Sequence, residues 1–127
     1  MNTYDVSFQF VDSPRDQSKP GSTIPADRLI DAFRDFPFAD EIKRADTVAG
    51  GPTLPTISFK RKSDGEEIAV WTEDALRFDL CLVGGGEKAF VNNRSKEEVE
   101  MMLSRFATES IAQIRPPKRG FFQRLFG

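Results

Sequence analysis

Residues 55–93, PTISFKRKSDGEEIAVWTEDALRFDLCLVGGGEKAFVNN, read as four short strands separated by three turns. Apolar and polar residues alternate through PTISFKRK, EEIAVWT, LRFDLCLV and EKAFVNN, the period of half-buried strands. Asp64-Gly65 is a two-residue hairpin signal. Pairing Ser63 with Glu66 across it sets Phe59 against Val70 and Ile57 against Thr72. A short Glu73–Ala75 turn pairs Thr72 with Leu76, bringing Val70 to Phe78 and Ile68 to Leu80. The Gly84–Gly86 loop then places Leu80 opposite Phe90. Each hairpin keeps apolar partners on one face, and the reading predicts an antiparallel meander.

The flanks supply what packs on it. YDVSFQFV puts Tyr4, Val6, Phe8 and Phe10 on one side of an N-terminal strand, whose neighbour in the sheet is left open. DSPRDQSKPGST reads as a polar loop. IPADRLIDAFRDF spaces Leu29, Ile30, Phe33 and Phe36 as one helix face, with Pro25 suited to a first turn. Pro37 interrupts that helix, and a second short one runs on through Phe38, Ile42 and Ala45. Near the C-terminus, Ser95 and Glu98 form a capping box. Behind it Val99, Met102, Leu103, Phe106, Ser110, Ile111 and Ile114 make a single stripe, with Glu97, Glu100, Arg105, Glu109 and Gln113 toward water. The predicted fold is α+β: an antiparallel sheet, made of the four-strand meander plus the N-terminal strand. Its helices pack mainly on one face, in the order β-α-β-β-β-β-α. Residues 1–114 form one domain, and 115–127 a separate tail.

Composition excludes several chemistries. A chain of 127 residues with 39% hydrophobic and 30% charged residues suits a single globular core. No apolar run approaches the roughly 20 residues that cross a bilayer. MNTYDVSFQF lacks a basic region followed by an apolar stretch, so a cytoplasmic setting is expected. The chain has no histidine and one cysteine, Cys81. Ser-His-Asp and Cys-His catalysis and the usual zinc sites are thereby removed. Carboxylate, lysine and oxygen-ligated metal chemistry stay formally open. The expectation is a protein without enzymatic activity, cofactor or metal.

Other motifs read blandly. VGGGEK lies between two strands, whereas a phosphate loop opens a helix with Gly-Lys-Ser/Thr. The acidic runs GEE, TED and KEEVE fall at turns or on a wet helix face, and SDGEE lacks the spaced ligands of a calcium loop. The sheet's second face draws more attention. Ser58, Lys60, Ala69, Trp71, Arg77, Asp79 and Cys81 point away from the core there, with Trp71 beside Arg77 and near Ser58. Trp and Arg dominate binding hot spots, and Trp71, Arg77 and Asp79 are the candidate partner contacts on the sheet. A Trp–Arg pair that merely stacks on its own sheet is the competing reading, as is a face covered by the N-terminal helices.

The end of the chain, RPPKRGFFQRLFG (115–127), carries four cations and no acid. Residues 1–114 hold fourteen cations against twenty acids, a balance of −6, which disfavours nucleic acid except through the tail. Pro116 and Pro117 end the preceding helix. Beyond them Phe121, Phe122, Leu125 and Phe126 fall on one side of a helical turn or two, flanked by Arg119 and Arg124. Burying four such side chains yields about 6–12 kcal/mol, against about 7–14 kcal/mol for ordering seven residues. The tail therefore needs a surface: its own domain, a partner's groove, or weakly an anionic membrane. Arg119, Phe121, Phe122, Arg124, Leu125 and Phe126 complete the candidate contacts.

The small α+β layout, acidic body and missing catalytic groups resemble bacterial toxin-neutralising immunity proteins, in architecture and through no particular motif. That resemblance implies a cytoplasmic protein-binding module, an inhibitor whose acidic surface meets a basic protein partner. The alternative is a peripheral membrane adaptor that uses the tail.

Overall fold

The computed structural model describes residues 2–14, 17–48 and 50–116. Six strands form one open antiparallel sheet: β1 (Thr3–Gln9), β2 (Lys19–Pro25), β3 (Thr56–Arg61), β4 (Glu67–Thr72), β5 (Phe78–Gly84) and β6 (Glu87–Arg94), in the spatial order β2-β1-β3-β4-β5-β6. Between β2 and β3 lie α1 (Leu29–Asp35) and α2 (Phe38–Arg44), each next to a single 3-10 turn; α3 (Lys96–Phe106) and α4 (Ile111–Ile114) follow β6. The class is α+β, as the sequence predicts, with one strand more.

That extra strand is β2, which takes the end of the stretch expected as a loop and also Ile24 and Pro25, expected as the start of the first helix; helical turns begin only at Ala26. Its composition, KPGSTIP, opposes a strand: Pro20 and Pro25 cannot donate to a ladder. An edge position tolerates them, because β2 pairs only with β1. Gly21 suits it, since a Cβ at that position would stand 2.6 Å from Cε2 of Phe8 and 3.0 Å from the Val6 carbonyl oxygen. β1 lies between β2 and β3 and runs antiparallel to both. The α1–α2 segment therefore crosses over β1 to join two parallel strands.

One face of the sheet is the core. Tyr4, Val6, Ile57, Phe59, Ile68, Val70, Phe78, Leu80, Leu82 and Val91 are buried there against Leu29, Phe33, Phe36 and Phe38 and against Val99, Leu103, Phe106, Ile111 and Ile114 from the helices. In α2 the buried pair is Phe38 and Glu41, with Ile42 only half-buried. Glu41 is buried because it has work inside: its carboxylate accepts the Val11 N–H at 2.9 Å and holds Arg44 at 3.0 Å. Arg44 in turn grips Asp12, which tethers the turn after β1 to α2.

The long C-terminal helix is two helices. The predicted capping box at Ser95 and Glu98 opens α3, and a second box at Ser110 and Gln113 opens α4. The break frees backbone carbonyls for two buried donors. Tyr4 Oη donates to the Phe106 carbonyl at 2.6 Å, and Arg61 donates to those of Glu109 at 2.6 Å and Phe106 at 3.3 Å. Arg61 is 4% exposed, with its guanidinium 4.3 Å from the Phe106 ring.

The hairpin registers differ from the predicted ones. Across β3–β4, Phe59 faces Ile68 and Ile57 faces Val70, a shift of two. A two-residue type I′ turn needs positive φ at both positions, but only Gly65 adopts it (+74°) while Asp64 Oδ1 accepts the Glu66 N–H. The loop therefore spans four residues, with Gly65 N–H on the Arg61 carbonyl. Across β4–β5 the shift is again two, Val70 facing Leu80 and Thr72 facing Phe78. Thr72 Oγ1 bonds Ala75 N–H and the Arg77 carbonyl, which enlarges the turn. Shifts of two keep every side chain on its face. At β5–β6 the shift is one: Gly84 pairs with Glu87, Leu80 with Val91 and Cys81 with Phe90. Only Gly85 and Gly86, both at positive φ, form the turn. Gly84 stays in the strand, where a Cβ would lie 2.6 Å from that of Ile111. Phe90, predicted in the core, turns outward and is 64% exposed.

Candidate binding surface on the helix-free face

The second face of the sheet is built by the alternate residues of the same strands. Thr56, Ser58, Ala69, Trp71, Asp79 and Cys81 are half-buried on it, and Lys60, Lys88 and Phe90 are exposed. The described helices contribute their buried residues to the opposite layer. Trp71 sits near the centre of this face, paired with Thr56 on β3 and Asp79 on β5. Its aromatic neighbour is Phe90, edge-on at 6.4 Å between ring centroids.

One side of Trp71 opens into a concavity of about 900 Å³, floored by Thr56, Ser58 and Ala69, with Leu54 on its rim. The rim is fixed in place. Thr53 donates its N–H to the Val11 carbonyl at 3.0 Å and its hydroxyl to that of Ser13 at 2.8 Å, and Pro55 next along is buried. Leu54, between them, is held at 38% exposure. The lining combines an indole face and aliphatic surface with hydroxyls, plus one acid, Glu67, and one base, Lys88, of opposite charge. Such a surface offers apolar contact with dispersed hydrogen-bonding groups, the make-up of a protein interface core.

The predicted sheet contacts divide. Trp71 is available on the face. Arg77 and Asp79 are occupied by Asn93, which sits at positive φ (58°) in an irregularity of β6. Arg77 donates to the Asn93 side-chain and backbone oxygens at 3.0 and 2.7 Å, and Asp79 Oδ1 accepts the Asn93 N–H at 2.9 Å. Arg77 therefore clamps a strand distortion instead of flanking Trp71, because the register lies two residues from the predicted one. Phe90 was missed as a surface residue for the matching reason. Arg119, Phe121, Phe122, Arg124, Leu125 and Phe126 lie outside the described residues.

Electrostatics identify what the titratable groups do. Burial pushes the Cys81 thiol up, with nearby Lys88 opposing and Glu67 reinforcing the shift; the neutral thiol is the resting form, a poor nucleophile. The displaced carboxyls all move downward, each held by donors. Asp74 accepts the Arg77 and Leu76 N–H groups. Glu98 accepts the Ser95 N–H and pairs with Arg94, while Glu100 and Glu109 pair with Arg34 and Arg105. Glu66 in GEE accepts the Ile111 N–H at 2.8 Å. Acids read from the sequence as merely solvated thus serve as turn, cap and inter-element acceptors. Among the described residues no group of three or more Asp, Glu or Cys is placed to hold a metal ion, and no described helix is long and apolar enough to cross a membrane.

No protein-family model, curated protein or solved structure matches this chain.

Proposed function

We propose that the chain is a non-enzymatic, cytoplasmic protein-binding module whose partner docks on the helix-free sheet face around Trp71. The observation that carries this reading is the placement of the only tryptophan, half-buried at the edge of a 900 Å³ concavity with a pinned rim, with Phe90 exposed beside it. Large aromatic side chains in partly desolvated settings supply most of the energy of protein interfaces. An inhibitor of the immunity type, directed at a basic protein, is the narrower form of the proposal; the excess of acids over residues 1–114 supports it through charge complementarity.

The test is affinity capture with immobilised wild type, Trp71→Ala, and Lys43→Ala as a control on the exposed side of α2. The reading expects a stoichiometric protein partner retained by wild type and by Lys43→Ala. Trp71→Ala should bind it at least about 30-fold more weakly, the loss of a hot-spot residue worth about 2 kcal/mol. Equal retention by all three proteins, or a small metabolite as the only retained species, refutes it.

A further inference from the structure

Among the described residues the sheet has two open edges, and they are unequally protected. β2 carries Pro20, Gly21 and Pro25, features that blunt an edge against pairing. β6, the longest strand at eight residues, has no proline and among the described residues pairs only with β5. Of the four large apolar side chains exposed among the described residues, two straddle this edge. Phe90 (64% exposed) lies on the helix-free face. Met101 (67% exposed) lies on the helix side, where it, Met102 and Val91 line a groove along α3.

We infer that β6 pairs antiparallel with β6 of a second copy, joining two sheets into one across a two-fold axis at Phe90. The backbone sets the phase. The two-residue Gly85-Gly86 turn makes Gly84 and Glu87 a hydrogen-bonded pair, so Glu87, Ala89 and Val91 address β5, while Lys88, Phe90 and Asn92 direct their N–H and C=O groups outward. A two-fold axis at Phe90 makes the two Phe90 residues exchange both bonds and sets Lys88 against Asn92 of the other copy. Side-chain order then selects this register. Ala89 meets Val91 on the helix side, the regular overlap ends before the irregularity at Asn93, and no like charges face one another. Moving the axis to Val91 would oppose Lys88 to Arg94, which is unfavourable. Moving it to Ala89 would shorten the overlap and set Glu87 against Val91. The axis lies perpendicular to the sheet, so both helix layers share one side and Met101 approaches the α3 of the other copy. A second copy is favoured over an unrelated strand because β6 is complementary to itself in both charge and apolar pattern.

The inference shares Phe90 with the docking surface proposed at Trp71, so it is tested on the purified full chain alone, with no partner present. Mass would be measured by light scattering and sedimentation over about 1–100 µM, the range in which small interfaces associate. Wild type should pass from 14.3 kDa toward twice that value. Two variants address the edge. Phe90→Pro removes an outward N–H, together with the ring that meets Trp71, and takes no donor from the β5 ladder; Phe90→Lys places two cations across the axis. Both should stay monomeric throughout with wild-type circular dichroism. If Phe90→Pro does not fold, Phe90→Lys carries the test. Wild type monomeric at every concentration overturns the inference, as does a dimer that persists in Phe90→Lys.

Discussion

Tyr4 and Arg61 share an acceptor at the break between α3 and α4, and that sharing yields a measurable coupling. The Phe106 carbonyl accepts from Tyr4 Oη at 2.6 Å and from an Arg61 Nη at 3.3 Å, while Arg61 also donates to the Glu109 carbonyl. Tyr4→Phe removes one neutral donor and should cost about 0.5–1.5 kcal/mol. Arg61→Met keeps most of the side-chain volume but withdraws charged donors worth about 1.5–3 kcal/mol each. Relief of the buried guanidinium's desolvation offsets part of that loss, leaving a net cost of about 1–3 kcal/mol. In either single variant Phe106 O keeps one partner. In the double variant it has none, and a buried orphan acceptor adds about 1–2 kcal/mol beyond the sum. Urea unfolding followed by far-ultraviolet circular dichroism measures all four corners of the cycle. Additivity within about 0.5 kcal/mol refutes the shared-acceptor account.

Gly84→Ala should destabilise by about 1–3 kcal/mol, because the new methyl would stand 2.6 Å from Ile111 Cβ and 2.7 Å from Glu66 Oε2; denaturant midpoints of Gly84→Ala and of Gly85→Ala, where a Cβ meets nothing within 4 Å, separate contact from turn strain. Glu41→Ala leaves the buried Val11 N–H without its acceptor and should cost about 1–3 kcal/mol by thermal unfolding. Acid should destabilise the fold. Asp74, Glu98, Glu100 and Glu109 titrate lower folded than unfolded, so their stabilisation is present above the unfolded carboxylate values near about 4 and drains as pH falls through the folded ones. Alkali destabilises as well, through Tyr4, whose pKa burial raises: stability falls as pH climbs past about 10, where the unfolded phenol ionises. Absorbance of this sole tyrosine should show tyrosinate appearing together with unfolding.

The sequence pattern carried the meander, the inward stripe and the first capping box, because period-two alternation and the Ser95–Glu98 spacing are local signals. It lost β2, whose prolines and glycine fit an edge strand only once β1 is beside it. It lost the registers because turn length depends on which residues take positive φ. Asp64 prefers to accept a hydrogen bond, and Gly84 is claimed by Ile111 packing above the strand. The break in the last helix was legible in part, since Ser110 and Gln113 have the capping-box spacing that opens α4, whereas Tyr4 and Arg61, which bond the carbonyls at the break, lie far away in sequence. For the candidate surface, shifts of two left Trp71 on the correct face, whereas the shift of one at β5–β6 moved Phe90 out to join it. The same geometry assigned Arg77 and Asp79 to Asn93.

Trp71 is the only tryptophan, so intrinsic fluorescence reports on this face alone. Acrylamide quenching of the folded chain, without and with the captured partner, is the most direct measurement. The account predicts that the free protein is readily quenched and that saturating partner shifts the emission to the blue and lowers the quenching constant severalfold. Emission and quenching unchanged at saturation would place the partner elsewhere and contradict it.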